Sequence, residues 1–256
     1  FFQQMPHSSM LMGCDADTNI AELIPQVAGR FQHYGFNSNS KWYIGQVETE
    51  PPFTKFQVFK GSDLFGWFQM PMVGGHNILN ALAAIAVVDY VGVPQKSILK
   101  GLAAFQGIKR RQEIRGINKG VTVIDDFAHH PTAVKETIHA IKEFYPIGNL
   151  IAVFEPRTNT SMRNIFQDIY PTVFDEADVI CIRKPPLLKK IPEKKRFSSK
   201  QLVADLQKRG LDAHYFADTS DIVDFVIKIV KSGDVVLVMS NGGFDNIHLK
   251  LLKRLE

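Results

Sequence analysis

The densest group of chemically capable side chains in this 256-residue sequence lies at 125–130, where the residues read DDFAHH. The group directly follows residues 121–124, a run of β-branched residues typical of a strand. Two carboxylates and two imidazoles at a strand end could hold ribose hydroxyls, a phosphate or a magnesium-bound water. The structural alternative is that they cap a helix beginning at Pro131. Four such side chains within six positions exceed what a cap requires, so we predict a functional role.

A second group stands at a predicted helix start, where residues 74–80 read GGHNILN. Glycines let a ligand approach the backbone closely, and the first turn of a helix offers unpaired N–H groups. Asn77 and Asn80 are three residues apart, so they share one helix face and present amide groups suited to a flat heterocycle such as adenine. An Asn cap followed by a core helix is the alternative, and both interpretations stay open.

A third group, residues 155–163, reads EPRTNTSMR and follows the apolar run 150–154. Arginine offers paired donors that match a carboxylate, so Arg157 and Arg163 indicate a ligand rich in carboxylates. The alternative is a solvated loop in which Thr160 or Ser161 caps the next helix.

Two weaker groups complete the set of candidates. Lys109, Arg110 and Arg111 are consecutive cations at a presumed hinge, from which a cation could reach a phosphate when two domains close. Ser240 and Asn241 open the turn SNGGF after the last predicted strand. That turn could bind an anion or serve only as a turn.

The elements that must position these groups follow one pattern from residue 121 onward. Short strands rich in Val, Ile and Leu alternate with amphipathic helices, which predicts an α/β, Rossmann-like domain with a mostly parallel sheet. Ligands of such sheets bind outside the carboxyl ends of the strands, where the candidate groups lie. Strands are predicted at 121–124, 150–154, 179–182, 214–216 and 235–240, and helices at 132–144, 162–174, 199–208, 219–231 and 247–255.

The first part of the chain has a different character. Residues 1–73 are irregular, with β-like runs at 42–47, 56–59 and 64–69 and a hairpin turn at 61–63. Two helices follow, one after Gly75 and one over 95–105. A domain boundary falls within the basic, glycine-flanked segment 107–120, and we divide the chain into 1–113 and 114–256.

Composition excludes several classes of protein. The formal charge is +4, with 45% apolar and 22% charged residues, which is typical of a globular protein and not of a disordered chain or a nucleic-acid-binding arm. The longest strongly apolar stretch, 81–88, is too short to cross a membrane. Two cysteines suggest neither a disulfide framework nor a zinc site, so we expect a cytoplasmic protein. The chain begins FFQQMP without an initiator Met, and we expect it to be part of a longer protein.

Five stretches together resemble a known family. GGHNILNALAA (74–84), FQGIKRRQEIRG (105–116) and DDFAHHPTAV (125–134), in this order, resemble the Mur ligases, which are ATP-dependent enzymes that form amide bonds in peptidoglycan metabolism. FEPRTNTSMR (154–163) and MSNGGFDNIH (239–248) are similar to one branch of that family. That branch joins UDP-N-acetylmuramate to the tripeptide L-alanyl-γ-D-glutamyl-meso-diaminopimelate during peptidoglycan recycling, and so serves cell-wall biogenesis, cell shape and cell division.

The resemblance implies which part of such an enzyme this chain is. The family has a UDP-sugar domain, a central ATPase domain and a C-terminal Rossmann-like domain. Residues 1–113 would then be the C-terminal part of the central ATP-binding domain, and residues 114–256 the C-terminal ligase domain. The family's phosphate loop, GxxxxGK[ST], does not occur in this sequence. In the family that loop and the main magnesium ligands lie upstream, so we expect this chain not to catalyse ligation unaided.

The resemblance also implies ligands and residue roles. ATP and Mg²⁺ would be the cofactors, and the reaction would pass through an acyl phosphate of the muramoyl carboxylate. Partners would be the two small-molecule substrates, with no nucleic acid, membrane or obligate protein partner. The catalytic residues would be His129 and Arg111; the ATP-binding residues His76, Asn77, Asn80, Arg110, Asp126 and His130; and the peptide-binding residues Arg157, Asn159, Thr160, Arg163, Ser240 and Asn241.

Two alternatives remain open. The L-alanine-adding branch of the family shares the DDxAHHP element and would need a smaller pocket for its amino substrate. A non-catalytic nucleotide-binding module would keep the fold without ligation, although it would have no need of the Asn, Asp and His groups described above.

Overall fold

The computed structural model describes residues 2–186 and 188–256, and the chain divides into two compact units. The first comprises residues 1–107 and the second residues 108–256. The division predicted from the sequence, between residues 113 and 114, falls inside the first strand of the second unit. It remains a prediction about the functional domains.

The first unit is built on a five-stranded sheet with strand order β1-β2-β3-β4-β5. The first three strands are parallel, and the last three form an antiparallel meander. The β-like runs and both helices predicted for this part are confirmed, whereas β1, α1 and β2 were not predicted. The elements are β1 (Met10–Cys14), α1 (Thr18–Leu23), β2 (Arg30–Gly35), β3 (Trp42–Glu50), β4 (Phe53–Lys60), β5 (Asp63–Met70), α2 (Gly75–Tyr90) and α3 (Gln95–Ala103).

Helix α2 covers this sheet with an apolar face. Leu82, Ile85 and Ala86 recur at helical spacing and are buried in one cluster with Phe56 and Phe68 of the sheet. Removing this apolar area from water stabilises the unit by roughly 25 cal/mol per Å². With 16 residues α2 is the longest helix described, yet no helix of the described residues has the length and apolar character needed to span a bilayer.

The second unit is built on a six-stranded sheet with strand order β10-β9-β8-β11-β7-β6. All neighbouring strands are parallel except β6, which pairs antiparallel with β7. The predicted α/β class and mostly parallel sheet are confirmed. The elements are β6 (Glu113–Asn118), β7 (Val121–Asp126), α4 (Pro131–Phe144), β8 (Leu150–Phe154), β9 (Val179–Arg183), α5 (Ser199–Lys208), β10 (Ala213–Phe216), α6 (Thr219–Ile229), β11 (Val235–Met239) and α7 (Ile247–Arg254).

The strand order decides where the candidate groups meet. Strand β11 lies between β7 and β8, and all five of its residues are buried. The segments that follow β7, β8 and β11 therefore leave the sheet side by side at its carboxyl edge. These segments begin at Phe127, Glu155 and Ser240, so Asp125 and Asp126 of the DDFAHH sequence are the last residues of β7, and the EPRTNTS and SNGGF sequences open the other two segments.

The helix predicted over 162–174 is wrong. Two single 3-10 turns, Asn164–Phe166 and Tyr170–Thr172, occupy this stretch instead. Pro171 lacks a backbone N–H and disfavours helical geometry in the residue before it. Tertiary contacts do the rest, because Tyr170 turns inward to be fully buried between aromatic rings.

The loop between α4 and β8 provides a test of the packing at the sheet's amino edge. Gly148 has φ +93°, and a Cβ there would lie 2.3 Å from the carbonyl oxygen of Gly233. Gly210 has a similar φ of +83°, but a Cβ there would meet no atom within 4 Å in the described part of the chain. We expect Gly210→Ala to lower the free energy of unfolding by about 1 kcal/mol, the cost of a left-handed alanine. Gly148→Ala should cost at least about twice as much, because the clash adds to that strain. Urea unfolding measures both, and equal losses would contradict the packing described.

Candidate functional site

One buried carboxylate joins the ends of three strands. Glu155, directly after β8, is fully buried. Its Oε1 accepts a hydrogen bond from Ser240 Oγ at 2.7 Å, and its Oε2 accepts one from the Arg183 guanidinium. Ser240 follows β11 and Arg183 ends β9, so a single side chain fixes where three loops begin. A charge this deeply buried is tolerated only with such partners.

Arg157 lies beside this carboxylate but remains partly in solvent. Its Nη1 is 3.6 Å from Glu155 Oε1, and about a third of its side chain, 32%, is exposed. The side chain runs against the backbone of Gly242 in the turn after β11. The structure thus brings Arg157 and Ser240, both predicted to bind a carboxylate-rich ligand, to one place.

The other predicted ligand-binding residues of the first loop differ in exposure. Asn159 and Thr160 are exposed at the tip of a turn that Thr158 and Ser161 hold together, with 2.8 Å between their hydroxyl oxygens. Ser161 therefore closes a turn and does not cap a helix. Arg163 is half-buried and forms an isolated bridge with the backbone of Arg196. In the second loop Asn241 is half-buried, and within the described residues its Oδ1 has no hydrogen-bond partner.

Arg110 binds the turn after β11 from the opposite side. Its Nη2 donates to the carbonyl oxygens of Ser240 and Gly242, the latter at 2.8 Å. Its Nε lies 3.4 Å from Asp125 Oδ2, and the other oxygen of that carboxylate is 3.3 Å from Nε2 of the buried His248. In this structure Arg110 fastens two strand ends together, and its predicted role at the ATP phosphates stays a prediction.

Arg111, by contrast, is exposed. Its guanidinium lies 5.8 Å from the centre of the Phe127 ring, and that of Arg110 lies 5.1 Å from the same ring. Contacts of this kind attract cations to the ring and restrict their orientation. Phe127 therefore steadies the cation that is predicted to be catalytic.

The carboxylate of Asp126 organises the backbone around it. Its Oδ1 accepts from the Ala128 N–H at 2.7 Å and its Oδ2 from the Gln112 N–H at 2.9 Å. Burial raises the pKa of Asp126 above its usual value, against the opposite effect of these two hydrogen bonds. The predicted contact with ribose hydroxyls is not tested by these distances and stays a prediction.

Two histidines follow this turn in different environments. His129 is half-buried, and its Nδ1 lies 2.9 Å from the carbonyl oxygen of Phe127. Because a carbonyl only accepts, Nδ1 is the donor in this contact, and in the neutral form of the ring the lone pair is then at Nε2. The carbonyl of His129 accepts from the Tyr170 hydroxyl at 2.5 Å, and burial raises the pKa of that tyrosine. His130 is exposed and packs edge-on against Phe166.

The remaining predicted residues belong to the first unit, in the first turns of α2. Asn77 is buried, and its Nδ2 donates to the carbonyl oxygen of Val73 at 2.8 Å. His76 is half-buried, whereas Asn80 is exposed. Of the two asparagines, Asn80 has the side-chain amide that is more accessible to a ligand.

Sequence analysis missed three residues that position the site. Arg183, Tyr170 and His248 are buried polar groups whose partners lie far along the chain. Arg183 directly follows the strand predicted over 179–182, and Tyr170 lies within the helix predicted over 162–174. The one local signal was His248 on an otherwise apolar helix face. Within the described residues no three His, Cys, Asp or Glu side chains are grouped to hold a metal ion.

Comparison with family models covers most of the chain. The model described as "Mur ligase, glutamate ligase domain" matches residues 110–242, and the "Mur ligase middle domain" matches residues 1–88. A curated UDP-N-acetylmuramate–L-alanine ligase from Geobacter sulfurreducens is 32% identical over 257 aligned residues, which cover 100% of this chain and 55% of that protein. The chain thus spans about half the length of the curated relatives it matches.

Solved structures of Mur ligases are also similar to this chain. A murein peptide ligase from Psychrobacter arcticus has a TM-score of 0.69 and 28% identity, covering 99% of this chain and 52% of that one. A MurF ligase from Thermotoga maritima, solved in complex with ADP, has a TM-score of 0.75 and 17% identity, covering 99% of this chain and 55% of that one. At 17% identity the second likeness concerns the fold alone.

The raised pKa of Asp126 predicts a pH dependence of stability. Above the usual value of 3.8 and up to the folded-state pKa, the folded protein binds more of this proton than the unfolded chain does. Stability contributed by Asp126 therefore falls as the pH rises through that window. We expect the free energy of unfolding of the wild type, minus that of Asp126→Asn, to decrease from about pH 4 to about pH 7. A difference that increases with pH would contradict the stated effect of burial.

Proposed function

The chain belongs to the Mur ligase family, and on that premise we propose that its protein is an ATP-dependent ligase of peptidoglycan metabolism. The proposed reaction joins the carboxyl group of UDP-N-acetylmuramate to the amino group of a second substrate, with ATP cleaved to ADP and inorganic phosphate. Because this chain spans about half of its relatives, the proposal concerns the whole protein, with a cytoplasmic location.

The observation that carries the proposal is the pair of loops at the carboxyl ends of β8 and β11. They carry the partly exposed cation Arg157 and the polar residues Asn159, Thr160 and Asn241. Beneath them, the buried hydrogen bond from Ser240 to Glu155 holds the two loops together. A fixed guanidinium binds a carboxylate through two parallel hydrogen bonds. An amino acid or peptide that must offer its amine keeps its carboxylates available for such binding.

The nucleotide side of the proposal rests on residues with matching chemistry. ATP, when bound, supplies the phosphoryl group that turns the muramoyl carboxylate into an acyl phosphate. Exposed Arg111 is suited to stabilising negative charge on phosphate oxygens, and Asn80 to hydrogen bonding with a heterocycle. With Nδ1 donating to the Phe127 carbonyl, the neutral form of His129 can accept a proton at Nε2. We assign Mg²⁺ no ligand in this chain and expect its main ligands elsewhere in the protein.

The amino substrate we propose is the tripeptide L-alanyl-γ-D-glutamyl-meso-diaminopimelate. Its several carboxylates suit a loop with two arginines, Arg157 and Arg163. The similarity to a murein peptide ligase over nearly the whole chain supports this choice. The second candidate is L-alanine, which the 32% identity to L-alanine ligases favours. A peptidoglycan-recycling role belongs to the first candidate only.

Release of ADP by the full-length protein, with UDP-N-acetylmuramate and either amino substrate, distinguishes these candidates. We expect turnover with the tripeptide, because its carboxylates match the arginines of the loop after β8. Omission of UDP-N-acetylmuramate is the control and should abolish release. Turnover with L-alanine alone would assign the second candidate. Absence of turnover with both would contradict ligase activity and favour a nucleotide-binding module.

A further inference from the structure

The turn after β11 contains a glycine whose missing side chain makes room for Arg157. A Cβ at Gly242 would lie 2.1 Å from Arg157 Cδ, 2.3 Å from its Nε and 2.8 Å from its Cζ. Non-bonded heavy atoms do not approach a Cβ so closely. Any other residue at position 242 would therefore displace the Arg157 guanidinium. The neighbouring Gly243 has an ordinary φ of −74°, and a Cβ there would meet no atom of the described residues within 4 Å.

Independent contacts hold this glycine in place. The Gly242 N–H donates to Ser240 Oγ at 3.0 Å, and that hydroxyl donates in turn to Glu155. Its carbonyl oxygen accepts from Arg110 Nη2 at 2.8 Å. The backbone of Gly242 is therefore fixed at both its N–H and its C=O.

The guanidinium of Arg157 consequently lies between a fixed backbone and a buried carboxylate. Glu155 Oε1 is 3.6 Å from its Nη1, close enough to attract the cation. The same carboxylate already accepts hydrogen bonds from Arg183 and Ser240. Its negative charge is therefore shared between two arginines and does not fully neutralise Arg157. With 32% of its side chain exposed, Arg157 is still reached by solvent.

We propose that Gly242 is a positioning residue, whose backbone forms a seat that orients Arg157 toward a carboxylate of the incoming amino substrate. A flexible side chain that is ordered before binding loses less entropy when the ligand arrives. The identity of the ligand rests on the function proposed above, whereas the seat concerns only this chain.

The matched variants Gly242→Ala and Gly243→Ala test the seat directly. The first measurement is the NMR signal of the Arg157 Nε–Hε group in this chain, identified by its loss in Arg157→Lys. We expect Gly242→Ala to move this signal to the position of a solvent-exposed arginine, and Gly243→Ala to leave it in place. The added methyl meets the far end of a flexible side chain, so both variants should fold with similar unfolding midpoints. An unmoved signal in Gly242→Ala would overturn the seat.

Kinetics of the full-length protein test what the seat is for. We expect Gly242→Ala to raise KM for the amino substrate about tenfold, the size expected for one charge-assisted hydrogen bond. The kcat and the KM for ATP should change little. Arg157→Ala should cause a similar or larger loss, and the double variant should be no worse than Arg157→Ala alone, because both act through one guanidinium. Additive losses would overturn the proposal.

The two measurements separate failure of the seat from failure of the proposed function. If Gly242→Ala moves the Arg157 signal while KM for both candidate amino substrates stays at the wild-type value, the seat stands and the assigned carboxylate contact is wrong.

Discussion

A charge buried where water cannot reach it imposes the geometry of this site. Glu155 must keep the Arg183 guanidinium and the Ser240 hydroxyl as partners, since losing either would leave a buried group unpaired. Because these partners come from β9 and β11, the loops on both sides of β8 are held to it. Arg183 also pairs with Asp245 at 2.5 Å, where three consecutive residues, Phe244–Asn246, have positive φ. The hydroxyl of Thr219 and the charge of Arg183 lower the pKa of Asp245, which favours the ionised carboxylate in this ion pair.

Four arginines of the second unit have different roles that follow from their burial. Arg183 and Arg110 donate to protein oxygens and fasten strand ends. Arg157 and Arg111 keep part of their side chains in solvent. Arg157 lies against Glu155 and the Gly242 backbone, and Arg111 lies near the Phe127 ring. The two cations that we propose to bind ligands thus differ in surroundings from the two that hold strand ends. In this arrangement flexible side chains are attached to backbone that the other two arginines hold in place at the carboxyl edge of the sheet.

The sequence predicted those features that depend on local patterns. Strands β8 and β11 are continuous apolar runs, so the bounds of both strands were predicted within a residue or two. Strand β6 was missed because it is an edge strand whose Ile114 and Ile117 face outward. The helix predicted over 162–174 failed because the packing of Tyr170 against distant aromatic rings overrides its periodic pattern. The partners of Glu155 could not be predicted, since nothing near Arg183 or Ser240 in sequence indicates a shared carboxylate.

Hydrogen–deuterium exchange of Glu155→Gln tests most directly whether this carboxylate organises the site. Asp234→Asn is the matched control, because Asp234 is also buried and accepts from two backbone N–H groups, but at the opposite edge of the sheet. If Glu155 ties the strand ends together, amides in the loops 156–163 and 240–246 should exchange at least about tenfold faster in Glu155→Gln. In Asp234→Asn they should exchange as in the wild type. Exchange in both loops that is no faster in Glu155→Gln than in the control would contradict the account.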